Sequence, residues 1–324
     1  MKYLFFLCAI SWLLLVGTHW HKKVPLEAMI CDAPVQQGLL APSAIKGMSL
    51  VAPRHPWIND RLAEMTPVIF FLVALLHYRS FDIDLPRINF EPNTWWGETV
   101  AGISESVRLA RAQNIKVMIK PQLWSRDLWV GAINYQTQAE WDSFHMDYTR
   151  FICDWARVAD SLGADLFCIG TEVKHSAINY PDYWRGLIDS IRQLYSGPLT
   201  YAPNWDEYNL ITFWDQLDYI GIDAYFPLLE DKTPSVCALR EAWQPIVQEI
   251  EQVQQQYNKP VLFTEWGYLT LDGCAWQTWV LEKDRGSAQL NQQAQANAVQ
   301  ALLETFGEKS WWAGGFQSAC TALA

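Results

Sequence analysis

Short apolar runs alternate with longer amphipathic stretches along the chain from residue 45 onward. Apolar runs of five to ten residues, rich in β-branched and aromatic side chains, are typical of buried β-strands. The pattern therefore predicts eight strands, at residues 45–52, 67–76, 115–120, 165–170, 198–203, 217–225, 259–265 and 313–317.

Helical periodicity fills most of the gaps between these runs. Apolar residues recur three to four positions apart within residues 97–113, 139–162, 183–195, 238–257 and 288–306. Alternation of strands and helices predicts parallel strands with right-handed crossovers, and eight such units over about 275 residues favour a (β/α)8 TIM barrel. An open, doubly wound sheet is the alternative, but no glycine-rich phosphate loop follows the first strand.

Two regions fit a complete barrel poorly. Only residues 53–66 separate the first two predicted strands, which leaves little room for a crossover helix. The chain ends in GGFQSACTALA, so we expect a barrel in which no helix follows the eighth strand.

The N-terminal segment predicts export. Its apolar run, about residues 3–17, is shorter than the roughly 20 residues of a spanning helix and follows a basic start, as in a signal peptide. His21, Lys22 and Lys23 behind the run also suit an uncleaved membrane anchor. We therefore expect a signal peptide or anchor at 1–22, a linker at 23–44 and one barrel domain at 45–324. The protein would be secreted or tethered on the extracytoplasmic side of a membrane.

Composition excludes several classes of function. The net charge of −11 and the absence of a basic stripe argue against a nucleic acid partner. The six histidines form no metal-binding motif, and the chain has no P-loop, dinucleotide fingerprint or G-x-S-x-G motif, so we expect neither a metal nor a cofactor. The sequence predicts no particular oligomeric state.

The seven cysteines do not resemble a disulfide scaffold in a chain of this length. Cys153 and Cys168 lie in apolar patterns and are predicted to be buried thiols. Cys237 and Cys274 are candidates for a pair, although their sequence positions do not establish one.

Tryptophan is unusually frequent, with 18 residues. About half are expected in the core, whereas others stand near strand ends, where an indole ring can stack on the apolar face of a sugar. We interpret Trp124 and Trp205 as such platforms, with loop packing as the alternative. Trp95 and Trp96 suit either role equally.

In a TIM barrel, functional residues gather at the carboxyl ends of the strands. Two glutamates at this edge, Glu172 and Glu265, each follow an apolar strand and a threonine. Their strands, the fourth and the seventh, face each other across the barrel. The same rule selects Lys120, Gln122, Trp124, Asn204, Trp205, Asp223, Tyr225 and Trp266.

Two carboxyl groups on opposite sides of a cleft are the machinery of glycoside hydrolysis. One protonates the departing oxygen, and the other attacks the sugar or activates water, at separations of about 5–5.5 Å in retaining enzymes and about 6.5–9.5 Å in inverting enzymes. Each glutamate also has a structural alternative. Glu172 would stabilise the start of the following helix, and Glu265 would be the buried partner of a Lys or Arg.

Several segments resemble glycoside hydrolase family 113 of the retaining clan A, whose characterised members are mainly β-mannanases. They are IKVMIKPQLW, IGTEVKHSA, YAPNWDEY, DYIGIDAYFP, PVLFTEWGY and WWAGGF, spread over about residues 45–316. The resemblance implies that Glu172 is the acid/base and Glu265 the nucleophile of a double displacement on a β-1,4-linked mannan-type substrate. It also implies that Tyr225 lies near the nucleophile and that Lys120, Trp124, Asn204, Trp205 and Asp223 line the sugar subsites.

The eighth strand departs from the family. Clan members usually carry an aromatic residue at its end, beneath the reacting sugar, whereas this chain has GGFQSACTALA. A non-catalytic glycan-binding barrel is therefore one alternative, and the same mechanism on another β-linked glucan or oligosaccharide is a second. Arg79, just after the second strand, is a further candidate for contact with the nucleophile.

Overall fold

The computed structural model describes residues 44–51, 54–56, 72–82, 86–90, 95–125, 128–283 and 289–318. The predicted leader, all but the last residue of the predicted linker, most of residues 53–66 and the segment after the eighth strand lie outside these ranges. Within the described part of the chain, no helix is both long and apolar enough to cross a membrane.

The eight predicted strands are confirmed. They are β1 (Ile45–Val51), β2 (Leu72–Asp82), β4 (Lys116–Trp124), β5 (Leu166–Thr171), β6 (Leu199–Ala202), β7 (Ile220–Asp223), β8 (Val261–Trp266) and β9 (Trp312–Ser318). A two-residue strand that the pattern did not predict, β3 (Arg87–Ile88), pairs antiparallel with β2.

The strands follow one another around a parallel TIM barrel in the order β6-β5-β4-β2-β1-β9-β8-β7. β6 and β7, at the two ends of this order, meet through a parallel bridge between Asn204 and Asp223. The amide of Asp223 also donates to the carbonyl of Pro203 at 2.8 Å. A doubly wound sheet would reverse its strand order part-way, so that alternative is wrong.

In the part of the chain that the structure describes, the five predicted helices are confirmed and two short ones join them. The helices are α1 (Val100–Ala112), α2 (Gln138–Ser161), α3 (Lys174–Asn179), α4 (Pro181–Arg192), α5 (Val236–Tyr257), α6 (Thr278–Lys283) and α7 (Gln292–Phe306). Single 3-10 turns lie at Trp96–Glu98, Val130–Ala132, Tyr208–Leu210 and Trp214–Gln216.

Polar side chains determine where several helices begin. Thr137 caps α2 in a reciprocal capping box with Glu140, and Thr99, Ser235 and Asn291 accept amide hydrogen bonds at the starts of α1, α5 and α7. These bonds satisfy amides that have no partner inside the helix. Helix α5 ends at Asn258, whose φ of 50° is left-handed.

Period-two alternation divides the buried strand residues between two sides of the barrel wall. On β4, Val117 and Ile119 pack in the large outer cluster with the helices, whereas Met118 between them points inward. Among the described side chains, the inner cluster consists of Met118, Leu166, Cys168, Ala202, Leu262 and Phe316. Apolar side chains thus fill the middle of the barrel and leave the layer above them for other chemistry.

The cysteine predictions have different outcomes. Cys153 and Cys168 are buried free thiols, as expected. The suggested pairing of Cys237 with Cys274 is wrong, because Cys274 is a buried free thiol whereas Cys237 is disulfide-bonded.

The contact between β6 and β7 requires glycine at position 221. A Cβ atom added to Gly221 would lie 2.0 Å from the backbone oxygen of Tyr201. We expect Gly221→Ala to lower the free energy of unfolding by about 1–3 kcal/mol, because the two strands must separate to admit the methyl group. Chemical denaturation measures this change.

Gly186 in α4 provides the matched control. A Cβ atom there meets nothing within 4 Å, so Gly186→Ala should stabilise the protein by about 0.5–1 kcal/mol. Equal effects of the two substitutions would contradict the proposed close approach.

Candidate active site

A buried ionic cluster lies in the layer above the inner apolar residues. Lys120 is two residues beyond Met118 on β4, so its side chain points into the barrel, where it is 0% exposed. Its Nζ donates to Glu265 Oε1 at 2.5 Å and to Asp223 Oδ1 at 3.1 Å. One ammonium group therefore joins the ends of β7 and β8 to β4.

A bulge in β8 directs Glu265 into this cluster. Ile222 pairs with Phe263, but the next residue of β7, Asp223, pairs with Glu265, so β8 carries one extra residue, Thr264. The Thr264 hydroxyl donates to Asp223 Oδ1 at 2.7 Å. Bulges of this kind re-aim a side chain, and here both Thr264 and Glu265 reach groups inside the barrel.

Among the described side chains, three donors hold the Glu265 carboxylate. Oε1 accepts from Lys120 and from Gln122 Nε2 at 3.0 Å, and Oε2 accepts from the Tyr225 hydroxyl at 3.0 Å. Burial by itself would raise the pKa of Glu265, but these donors, with Lys120 foremost, hold the pKa below its ordinary value. Glu265 is therefore ionised at neutral pH.

The pKa values of the other two members of the cluster, Asp223 and Lys120, are raised. Burial raises the pKa of Asp223 well above its usual range, and Lys120 opposes this only in part. Burial would lower the pKa of Lys120, but the two carboxyl groups raise it above its ordinary value. Lys120 thus remains charged, and Asp223 is the carboxyl group of the cluster that binds a proton more readily.

Glu172 lies at the end of β5 in an unusual backbone conformation. The register of β5 against β6 shifts between Cys168 and Thr171, and Glu172 follows with a φ of 53°. A non-glycine residue in this left-handed region costs about 1–3 kcal/mol. Its amide donates to the carbonyl of Ala202 at 2.8 Å, which anchors the turn to β6.

The environment of the Glu172 carboxyl favours its protonated form. Burial raises its pKa to about 7, the charges of Glu265 and Glu207 add to the increase, and a hydrogen bond donated by Trp129 Nε1 to Oε2 opposes it. At pH 6, Glu172 is largely protonated while Glu265 is ionised. Two carboxyl groups whose environments separate their pKa values in this way are suited to acid and base roles.

The structural alternatives for the two glutamates have different outcomes. Glu172 is not in the first turn of a helix, because Val173 is the N-cap of α3 and Glu172 precedes it. Glu265 is a buried partner of a lysine, as that alternative stated. Its pairing with Lys120 does not exclude a chemical role, because the same contact keeps its carboxylate charged.

Three predicted subsite residues lie deeper than the sequence suggested. Lys120 is 0%, Asp223 1% and Trp266 7% exposed, so none of them offers an open surface to a sugar. Lys120 and Asp223 belong to the ionic cluster, and the indole of Trp266 packs in the outer core. Their positions at the ends of strands predicted that they lie at the open end of the barrel, but not how deeply their side chains are buried.

The remaining predicted residues lie nearer the surface. Trp124, at the end of β4, is 52% exposed. Trp205 is partly buried and stacks on Trp279, with ring centroids 6.0 Å apart and planes at 16°. Asn204 bridges to β7 and accepts from the amide of Trp205 through its own side chain at 3.0 Å. The side chain of Arg79 lies outside the described residues.

Sequence reasoning missed three contacts at the site. Trp129 donates to Glu172, and the only signal for it was the aromatic cluster LWSRDLW. The hydroxyl of Ser318, at the end of β9, lies 2.5 Å from the Tyr225 hydroxyl. Gln122 was noted at its strand end, but its bond to Glu265 depends on folding.

Comparison with known proteins identifies a family. The sequence profile of Glycoside Hydrolase Family 113 matches residues 61–318. No curated protein sequence matches the chain significantly.

Solved structures share the fold. The chain is similar to a family 113 β-mannanase from Alicyclobacillus acidocaldarius, with 23% identity, a TM-score of 0.73 and coverage of 87% of this chain and 88% of that one. A family 113 β-1,4-mannanase gives 23% identity, a TM-score of 0.72 and coverage of 85% and 88%. A β-glucuronidase from Ruminococcus gnavus is more distant, with 13% identity, a TM-score of 0.58 and coverage of 87% and 45%.

Removal of the central ammonium group tests the ionic cluster. We expect Lys120→Met to lower the free energy of unfolding by about 3–5 kcal/mol, because two buried carboxyl groups lose their cation. The loss should be larger at pH 8 than at pH 5, since at lower pH the two groups bind protons and avoid burying charge. Denaturation at both pH values measures the effect.

A surface ion pair provides the control. Lys309 contacts Glu251 at 2.8 Å, and both side chains are partly exposed to solvent. Lys309→Met should therefore cost less than about 1 kcal/mol at either pH. A pH-independent loss in Lys120→Met would contradict the electrostatic account.

Proposed function

The chain belongs to glycoside hydrolase family 113, and on that basis we propose that it cleaves β-1,4-linked mannan-type chains by a retaining double displacement. Glu265 is the nucleophile and Glu172 the acid/base. The observation that carries the proposal is the contrast between the two carboxyl groups. Glu265 is held ionised by Lys120, whereas burial raises the pKa of Glu172 to about 7.

The hydrogen bonds of Glu265 favour one of its oxygens for attack. Oε1 accepts two hydrogen bonds, from Lys120 and Gln122, which occupy both of its lone-pair directions. Oε2 accepts from Tyr225 alone among the side chains that the structure describes, which leaves it a lone pair. Oε2 therefore attacks the anomeric carbon, and the bonds to Oε1 fix the carboxylate plane during the attack.

Glu172 supplies and recovers the proton. In the first step its carboxyl protonates the departing glycosidic oxygen, while a glycosyl ester forms on Glu265. In the second step the resulting carboxylate removes a proton from water, which attacks the ester and releases a sugar of unchanged anomeric configuration. Trp129 orients the carboxyl through its bond to Oε2.

Exposed tryptophans suit a carbohydrate chain as substrate. Trp124 is 52% and Trp129 43% exposed, and the stacked pair Trp205 and Trp279 lies beyond the end of β6. Indole faces bind the apolar faces of sugar rings without requiring a charged substrate. The descriptions of the similar solved enzymes as β-mannanases support mannan as the first polymer to test.

Turnover of mannan by the purified chain tests the proposal directly. We expect reducing ends to be released, with the anomer formed first retaining the β configuration in a proton NMR time course. Glu172→Ala and Glu265→Ala should each reduce kcat/KM by about 100- to 10,000-fold or more, since each removes a reacting group.

Azide distinguishes the two roles. With an activated aryl mannoside, azide should give the α-glycosyl azide in Glu265→Ala and the β-glycosyl azide in Glu172→Ala, because it replaces the nucleophile in one and the deprotonated water in the other. Full activity in either variant would contradict the assignment. Mannan binding without turnover by the unsubstituted chain would instead support a glycan-binding barrel.

The pH dependence of turnover follows from the two carboxyl groups. Activity requires ionised Glu265 and protonated Glu172, so the profile should be bell-shaped. Because the pKa of Glu172 is about 7, kcat/KM should fall above pH 7, by about tenfold per pH unit once the acid is fully ionised. For an aryl mannoside whose leaving group needs no proton, Glu172→Ala should lose this alkaline decline. An alkaline limb that persists in the variant would assign it to another group.

A further inference from the structure

Glu207 is a buried carboxyl group that the mechanism above does not use. It lies in the loop between β6 and the 3-10 turn Tyr208–Leu210 and is 0% exposed. No described side chain donates a hydrogen bond to either of its carboxylate oxygens, and the backbone of Asn204 nearby lowers its pKa only in part. Lys174 Nζ lies 3.8 Å from Oε1, but its closer partner is Asp206, at 2.8 Å.

Such a residue is costly to the fold. Burial of a carboxyl group without a full set of partners destabilises a protein, so a buried carboxyl group with a perturbed pKa near a cleft is a candidate for function. Gln would occupy the same volume without a charge. The position therefore calls for an explanation based on charge.

Glu207 lies beside the turn that carries Glu172. Lys174, which faces Glu207, is the first residue of α3 and follows Glu172 by two positions. The amide of Glu172 is bonded to Ala202 at the end of β6, from which the Glu207 loop departs. Both loops therefore rest on the same pair of strands, β5 and β6.

The charged and titratable neighbours of this pair are limited in number. Glu207 interacts electrostatically with Lys174, Asp206, Asp223 and Tyr201. Glu172 interacts electrostatically with Glu265, Lys120 and Glu207. Burial raises the pKa of Glu207 to about 7, which Lys174 opposes. The charge of Glu207 in turn raises the pKa of Glu172.

We propose that Glu207 is a positioning residue whose carboxylate charge keeps Glu172 in the acid form that protonates the leaving oxygen. This inference rests on the proposed function for the role of Glu172. Glu207 does not contact the substrate in this account. It acts through the electrostatic field that its carboxylate exerts on the carboxyl group of Glu172.

The pair should titrate as a unit. When two carboxyl groups of similar proton affinity repel each other, ionisation of one disfavours ionisation of the second, and the titration spreads over a wider pH range. The decline of activity above neutral pH should therefore be shallower in the unsubstituted enzyme than for a single isolated acid.

The test compares kcat/KM against pH for the unsubstituted enzyme, Glu207→Gln and Glu105→Gln on a mannan oligosaccharide. Glu207→Gln should move the alkaline limb to lower pH by about half a unit or more and make it steeper, because a like charge has been removed. Glu105 is a partly exposed residue of α1 paired with Arg108, so Glu105→Gln controls for the change in net charge and should leave the decline of activity above neutral pH unchanged. If kcat/KM falls with rising pH in the same way for Glu207→Gln and the unsubstituted enzyme, the proposal is overturned, even if the variant is less stable.

A second measurement does not depend on turnover or on the folding of a Glu207 variant. Carbon-13 NMR of labelled glutamate carboxyls follows the titration of Glu207 in the unsubstituted protein and in Glu172→Gln. We expect the Glu207 titration to shift to lower pH and to sharpen in Glu172→Gln, whereas identical titrations would overturn the coupling. Failure to hydrolyse mannan would count against the proposed function and leave this NMR result independent.

Discussion

One buried lysine organises the open end of this barrel. Lys120 is the cation that holds Glu265 and Asp223 together inside a poorly solvated layer, at 2.5 and 3.1 Å. Without a cation, two carboxyl groups at this depth would repel each other and take up protons. The charge of the candidate nucleophile and the ionic contact between the ends of β7 and β8 depend on that ammonium group, which also lowers the pKa of Glu172 slightly.

Most of the fold was predictable because its signals are periodic and repeated. The eight strands and five long helices follow from apolar runs and three-to-four spacing, which depend on local geometry that every unit shares. The two short helices α3 and α6, together with β3, were not predicted because segments of two to six residues carry too little pattern. The bulges in β5 and β8 were hidden for a different reason. An extra residue is defined only by the register of the neighbouring strand.

The sequence predicted which residues form the candidate site, but not how deeply each side chain is buried. Glu172 and Glu265 were identified because each places a charge directly after an apolar strand. The resemblance to family 113 implied that Lys120 and Asp223 line sugar subsites, but the period-two pattern of a strand distinguishes inside from outside and does not show how far below the opening a side chain lies. Trp129 donates a hydrogen bond to Glu172 from a loop, and Glu207 is buried by residues distant in sequence. No local sequence pattern predicts either feature.

The raised pKa of Asp223 has a consequence for the reaction cycle under the proposed mechanism. In the resting enzyme the charge of Lys120 balances ionised Glu265, while burial favours a proton on Asp223. Formation of a glycosyl ester would neutralise Glu265 and leave the charge of Lys120 to Asp223 alone, which would lower the affinity of Asp223 for its proton. The partner that balances Lys120 would thus change from Glu265 to Asp223 as the ester forms, and hydrolysis of the ester would reverse the change.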